Sequence, residues 1–160
     1  MSRHNLDLDP DYIRSLKDPI YSRYCRSGEI EVFPEAVRLI RLLEGKGYTL
    51  AVASGSYSSD ILAILNDRSL EHYFRAVIGK DMVKERKPDP ETYLKAATLL
   101  KVEPSECVVI EDAVKGIISA HQAGMKAIGV RTDVTEGLDL SGADLVADSL
   151  SELRELFASI

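Results

Sequence analysis

From residue 35 onward the chain alternates segments of helical period with short apolar runs, and this alternation limits the fold more than any other feature. The runs at 48–53, 74–79, 107–110 and 127–130 read as buried strands, with a last short one at 145–148. Amphipathic segments separate the first four. Strands joined through helices run parallel, so the expected class is α/β with a parallel sheet. At 160 residues the chain has room for one such domain and a core that needs no staples. It contains no internal repeat and no low-complexity stretch.

The helices carry their own start and stop signals. Pro34 opens the first, whose Ala36, Leu39, Ile40 and Leu43 share a face, and Gly45 and Gly47 close it. Ser54-Gly55-Ser56 breaks the first strand before a second helix with Ile61, Leu62 and Leu65 inward. Asp89 caps a third helix and Pro90 starts it, with Tyr93, Leu94, Ala97 and Leu100 facing the core. Val114, Ile117, Ile118 and Ala120 are the apolar positions of a fourth, which Gly124 stops. Ser149 and Glu152 form a capping-box pair for the last helix, 150–157. Gly116 costs a helix about 1 kcal/mol relative to Ala, and close packing of helix on sheet would explain it.

Residues 1–30 hold no strand pattern. Asp9-Pro10 starts a helix, and Asp18-Pro19 starts a second or kinks the first. Tyr12, Leu16, Ile20 and Tyr24 recur every four residues, so this segment wants a partner surface.

Charge and composition exclude several functions. Twenty Lys and Arg against 26 Asp and Glu leave a net charge of −6, which opposes nonspecific binding to nucleic acid. No apolar run reaches the length of a membrane span, and no signal peptide is visible. Cys25 and Cys107 are too few for a disulfide scaffold and read as free thiols of a reducing, cytoplasmic compartment. His4, His72 and His121 lack metal-ligand spacing and read as solvated side chains.

In open α/β sheets ligands bind at the carboxyl ends of the strands. Ser54 follows the first strand, Lys87 lies in the loop after the second, and Glu111 and Asp112 follow the third. Two adjacent carboxylates suit Mg²⁺, a hard cation that prefers oxygen. A lysine offsets charge on a phosphoryl group. The Ser54 hydroxyl and the N–H groups around Gly55 can hold phosphate oxygens at the start of a helix. Singly, each has an ordinary explanation: a strand-to-helix turn, a solvated loop lysine, and acids at a helix N-terminus. Together they make most of a phosphoryl-transfer site.

Three stretches resemble the haloacid dehalogenase superfamily in its β-phosphoglucomutase-like branch of phosphatases and phosphomutases. They are Leu50-Ala51-Val52-Ala53-Ser54-Gly55-Ser56, Lys87-Pro88-Asp89-Pro90-Glu91-Thr92-Tyr93, and the run from Val108 through Glu111-Asp112 to Ala123-Gly124-Met125. The resemblance implies a Rossmann-like three-layer core over 31–160 and the helical tail of a cap domain over 1–30. It implies Ser54 and Lys87 as catalytic residues, with Ser54, Gly55 and Lys87 holding phosphate. Glu111 and Asp112 would hold Mg²⁺, Asp112 directly. The substrate would be a small phosphorylated metabolite, with no nucleic-acid or membrane partner. A phosphoacceptor receiver domain uses similar residue types, but there the acid pair comes early and Lys-Pro last.

The family's first motif, a central strand ending in a nucleophilic Asp-x-Asp, has no counterpart in these residues. Asp7-Leu8-Asp9 is the nearest candidate, but no apolar strand precedes it, and Asp9 is better used as a helix cap before Pro10. The expected core therefore lacks its first, central strand. The chain reads as part of an enzyme whose nucleophile lies outside it, inactive alone. Two alternatives stay open: a non-catalytic module for Mg²⁺ or a phosphorylated ligand, and an interaction protein whose open strands pair with another chain or a second copy.

Overall fold

The structure is a computed structural model and describes residues 9–160. Asp7 and His4 lie outside the described residues. Helix α1 (Pro10–Cys25) is continuous through Pro19, so Asp18-Pro19 starts no second helix. There follow α2 (Pro34–Gly45), β1 (Leu50–Ala53), α3 (Ser58–Asp67), β2 (Phe74–Ile78) and α4 (Glu91–Leu100). The second half holds β3 (Val108–Glu111), α5 (Val114–Gln122), β4 (Lys126–Val130), β5 (Leu145–Ala147) and α6 (Leu150–Ser159).

Local chemistry sets the helix ends. The Asp89 carboxylate accepts the Glu91 N–H at 2.9 Å. Ser149 Oγ accepts the Glu152 N–H at 3.1 Å, and Glu152 reaches back to the Asp148 N–H at 2.6 Å. After α5 the chain turns at Gly124, whose φ of +77° is strained for any residue with a Cβ.

Every strand pair is parallel, but the strands form two ladders. One is β1–β2, in register from Ala51 opposite Ala76 to Ala53 opposite Ile78. The other is β3–β4–β5, with Val109 opposite Ala127 and Gly129 opposite Val146. No ladder joins β1 to β3 among the described residues.

Cores on both faces nonetheless span the two ladders. Leu50 of β1 and Ile110 of β3 pack with Leu39 and Leu43 of α2 and Leu153 and Phe157 of α6. On the opposite face Ala53 of β1 and Val109 of β3 share a cluster with Tyr93 and Ala97 of α4 and Ile117 of α5. Helix α3 adds Ile61 and Leu65 beside Val52 and Val77. β1 and β3 therefore both lie between the two helical layers, each hydrogen-bonded to one neighbouring strand among the described residues. Alternating side chains put Leu50 and Val52 on one face and Ala53 on the other, as the pleat requires.

Two helix faces differ from the sequence expectation. Leu94 is exposed, and α4 instead buries Thr92, Tyr93, Ala96 and Ala97. In α5, Ile117 and Ala120 are buried while Val114 and Ile118 are exposed. Small residues share the inner positions with Tyr93 and Ile117. The four-residue stripe of α1 faces solvent, with Ile20 62% exposed. Cys25 at the end of α1 is buried, and polar contacts from α1 and the turn after it reach α3: Ser22 and Arg26 bond the buried Asp60 carboxylate at 2.6 and 3.1 Å.

Candidate functional site

Lys87 is the hub of the site. It stands in the loop between β2 and α4, and its Nζ donates to the Ala53 carbonyl at the end of β1 at 3.1 Å. The same group donates to the Tyr93 hydroxyl oxygen at 2.7 Å and forms an ion pair with Glu111 at the end of β3. Tyr93 donates its own proton to Glu111 Oε1 at 2.5 Å. The lysine and glutamate side chains are both mostly buried. One ammonium group thus ties together two strand ends that share no backbone ladder.

The sequence-predicted residues divide accordingly. Lys87 and Glu111 are brought into direct contact. Ser54 follows the carbonyl that Lys87 holds, and its N–H donates to Ile78 O at 2.9 Å, prolonging the β1–β2 ladder. Its hydroxyl accepts the Ser56 N–H at 3.2 Å. Gly55 is exposed in the same turn, just before α3. Asp112 is half-buried and forms no ion pair among the described residues. Burial pushes its carboxyl above the ordinary value, the Glu111 charge adds to that, and Lys87 opposes it.

Tyr93 is the member that sequence reasoning placed only in the core. The available signal was its hydroxyl, because a buried tyrosine oxygen must find a partner. Burial first, and Glu111 second, hold this phenol protonated well above its ordinary range.

Gly116 also belongs to the site. A Cβ there would overlap the Glu111 carboxylate, so it is a side chain at the strand end that needs the space. Ser119, one turn further along α5 and fully buried, donates to the Asp89 carbonyl at 2.7 Å and fixes α5 to the start of α4. Gly116→Ala should displace Glu111 from Lys87. It should destabilise the fold by about 1–2 kcal/mol in chemical denaturation, against the roughly 1 kcal/mol gain that helix propensity alone would give. A gain in stability would mean that Glu111 does not rest on Gly116.

Among the described residues no three His, Cys, Asp or Glu side chains gather as a metal site. The acid pair fits a hard divalent cation in part. Glu111 is engaged by Lys87 and Tyr93, whereas Asp112 forms no ion pair among the described residues. Of the two, Asp112 is the carboxylate that could contact a hard divalent cation directly, with Glu111 behind it.

The described histidines, His72 and His121, lie elsewhere. His121 pairs through Nε2 with Asp144 at 2.9 Å, which also accepts from Lys126 and the Ala127 N–H. That network joins α5, β4 and the approach to β5.

Comparison with known proteins agrees with this architecture. The family model for haloacid dehalogenase-like hydrolases matches residues 6–130. Fructose-1-phosphate phosphatase YqaB of Escherichia coli is 40% identical over 78% of this chain and 65% of its own length. β-Phosphoglucomutase of Bacillus subtilis is 35% identical over 77% of this chain and 52% of its own. The crystal structure of CbbY from Rhodobacter sphaeroides in complex with phosphate superposes with a TM-score of 0.78 at 28% identity, covering 96% of this chain and 69% of that one. The chain thus spans about half the length of the β-phosphoglucomutase and less than two thirds of the phosphatase. With its three motifs in order at the strand ends, the chain belongs to the haloacid dehalogenase-like hydrolase family, in the β-phosphoglucomutase-like branch.

Proposed function

We propose that the chain is the phosphate- and Mg²⁺-binding part of a phosphatase or phosphomutase acting on small phosphorylated metabolites. The observation that carries this reading is the Lys87 ammonium group, which touches the ends of β1 and β3 at once. A phosphoryl group seated there would meet the Ser54 hydroxyl, the N–H groups around Gly55 at the start of α3, and the lysine charge. Asp112, with Glu111 behind it, would hold Mg²⁺. When bound, Mg²⁺ supplies Lewis-acid polarisation of a phosphoryl oxygen. Lys87 keeps its partners in place and offsets charge on the transferring group. YqaB and CbbY, a named phosphatase and a structure solved with phosphate, support the substrate class.

In this reading residues 1–30 are the tail of a cap and 31–160 the core. The nucleophile comes from an extended segment outside the chain, ending in Asp-x-Asp and lying between β1 and β3. The open edges of these two strands, covered on both faces by helices, support that position. They also suit the alternative in which a partner chain or a second copy supplies the strand. The net charge of −6 opposes nonspecific binding to nucleic acid, and no described helix is long and apolar enough to cross a membrane. A cytoplasmic site of action remains part of the proposal.

Asp112→Asn tests the metal assignment. The carboxyl is raised above its ordinary 3.8 in the fold, so its charged form opposes folding. That cost is absent below 3.8, grows as pH rises through it, and is complete above the folded-state value. Without metal at about pH 7 the variant should therefore melt higher than the parent chain, and the gap should close in acid. With Mg²⁺ and phosphate the order should reverse, because only the parent is stabilised by binding. Calorimetry should show Mg²⁺-dependent phosphate binding by the parent and none by the variant. Equal binding by both would remove Asp112 from the site.

A further inference from the structure

A cavity of about 250 Å³ opens between α1 and the loop that carries Ser54. Gly55 and Ser56, which follow Ser54 in the same turn, line it, so the cavity adjoins the proposed phosphate site. Its far wall is α1, through Asp18 and Tyr21. Lys80 enters from the turn after β2, pairs with Asp18, and lies over the Tyr57 ring at 3.9 Å from the centroid. The Lys80 side chain is only 7% exposed, so this pair is largely withdrawn from water.

The charges in the cavity are already matched. Lys80 is committed to Asp18, and the hydrogen bond from Lys80 holds the Asp18 carboxyl below its ordinary range. Asp60, fully buried at the base, is engaged by Arg26 and Ser22. Lys17 is exposed at the mouth, where solvent screens it. The remaining polar groups are hydroxyls: Ser56 Oγ donates to the Tyr21 oxygen at 3.3 Å. Hydroxyls both donate and accept, so they pair equally well with a hydroxylated ligand.

We propose that this cavity receives the leaving group of the phosphate ester, and that the Asp18–Lys80 pair selects uncharged, hydroxylated leaving groups over anionic ones. The inference rests on the reading of Ser54 and Lys87 as the phosphate site. An entering carboxylate would lose its hydration and face Asp18 and Asp60, while the nearest buried cation is already neutralised. An entering hydroxyl meets Tyr21 and Ser56 at no such cost.

The test compares glycerol phosphate with phosphoglycerate, which carries a carboxylate in place of the terminal hydroxymethyl group. Each is titrated calorimetrically into the chain with Mg²⁺, beside inorganic phosphate. Glycerol phosphate should bind about tenfold more tightly than phosphoglycerate. Asp18→Asn releases Lys80 and should bring the two within about twofold, whereas Lys80→Met leaves Asp18 unpaired and should widen the gap. Damage to folding alone would not move the two variants in opposite directions. Neither variant should change the affinity for inorganic phosphate. Phosphate binding with phosphoglycerate equal or preferred would overturn the cavity's role and leave the phosphate site standing. Failure to bind inorganic phosphate would contradict the phosphate site, and the cavity's role with it.

Discussion

Lys87→Ala should destabilise the chain by about 2–3 kcal/mol and abolish its binding of phosphate. Both effects come from one atom. Lys87 Nζ satisfies the Ala53 carbonyl, the Tyr93 oxygen and the Glu111 carboxylate, in a region where Glu111 is mostly shielded from water. Without it Glu111 keeps only the Tyr93 proton, and a mostly buried carboxylate loses its cation. Nothing else in the fold bonds the end of β1 to the end of β3, among the described residues, so the two ladders should separate more readily. Thermal melting should fall by roughly 5–10 °C at this chain length. Lys87→Met separates the causes. It keeps most of the side-chain volume, so a similar loss would assign the effect to charge and hydrogen bonding rather than to a void. An Ala variant that melts with the parent would mean that the lysine bridge adds no stability.

Most of the fold was legible because local signals and tertiary demands agree. Pro34, Ser149 with Glu152, and Gly124 mark helix ends where the structure places them. The apolar runs became strands because each is flanked by helices that cover both faces. The inner face of α4 was not legible in the same way. Leu94 looks like a core residue by composition, but close approach of helix to strand admits Ala96 and Ala97 and turns Leu94 outward. Pro19 is a second case. A proline removes one backbone donor, and α1 tolerates that without ending.

At the site, residue types and order indicated Ser54, Lys87, Glu111 and Asp112, but not their contacts. Lys87 and Glu111 lie 24 positions apart, and only the packing of α4 against β1 and β3 brings them together. Tyr93 joined the site because its helix face points at the strand ends, which a single residue in sequence does not reveal. In the sequence Gly116 suggests only a close approach of helix to sheet. The finer cause is the Glu111 carboxylate that occupies the space of its missing Cβ.

The second large effect concerns turnover. The chain provides a lysine, a serine and an acid pair, yet Glu111 is committed to Lys87, and the proposed function gives Asp112 to the metal. Neither is left to attack phosphorus. Under the proposed function a separate aspartate makes the attack, and the open edges of β1 and β3 are where an extended segment carrying one would lie. Removing the nucleophile from an enzyme costs up to about 10⁶ in rate. Joining the chain to an apolar strand ending in Asp-x-Asp should restore much of that factor, and changing the first of those aspartates to Asn should remove it again.

The most direct measurement is the hydrolysis of a generic phosphate ester by the chain alone, with and without Mg²⁺. No Mg²⁺-dependent turnover is expected, although phosphate still binds. Robust Mg²⁺-dependent hydrolysis that disappears in Asp112→Ala would contradict it, and would place the attacking carboxylate within these 160 residues.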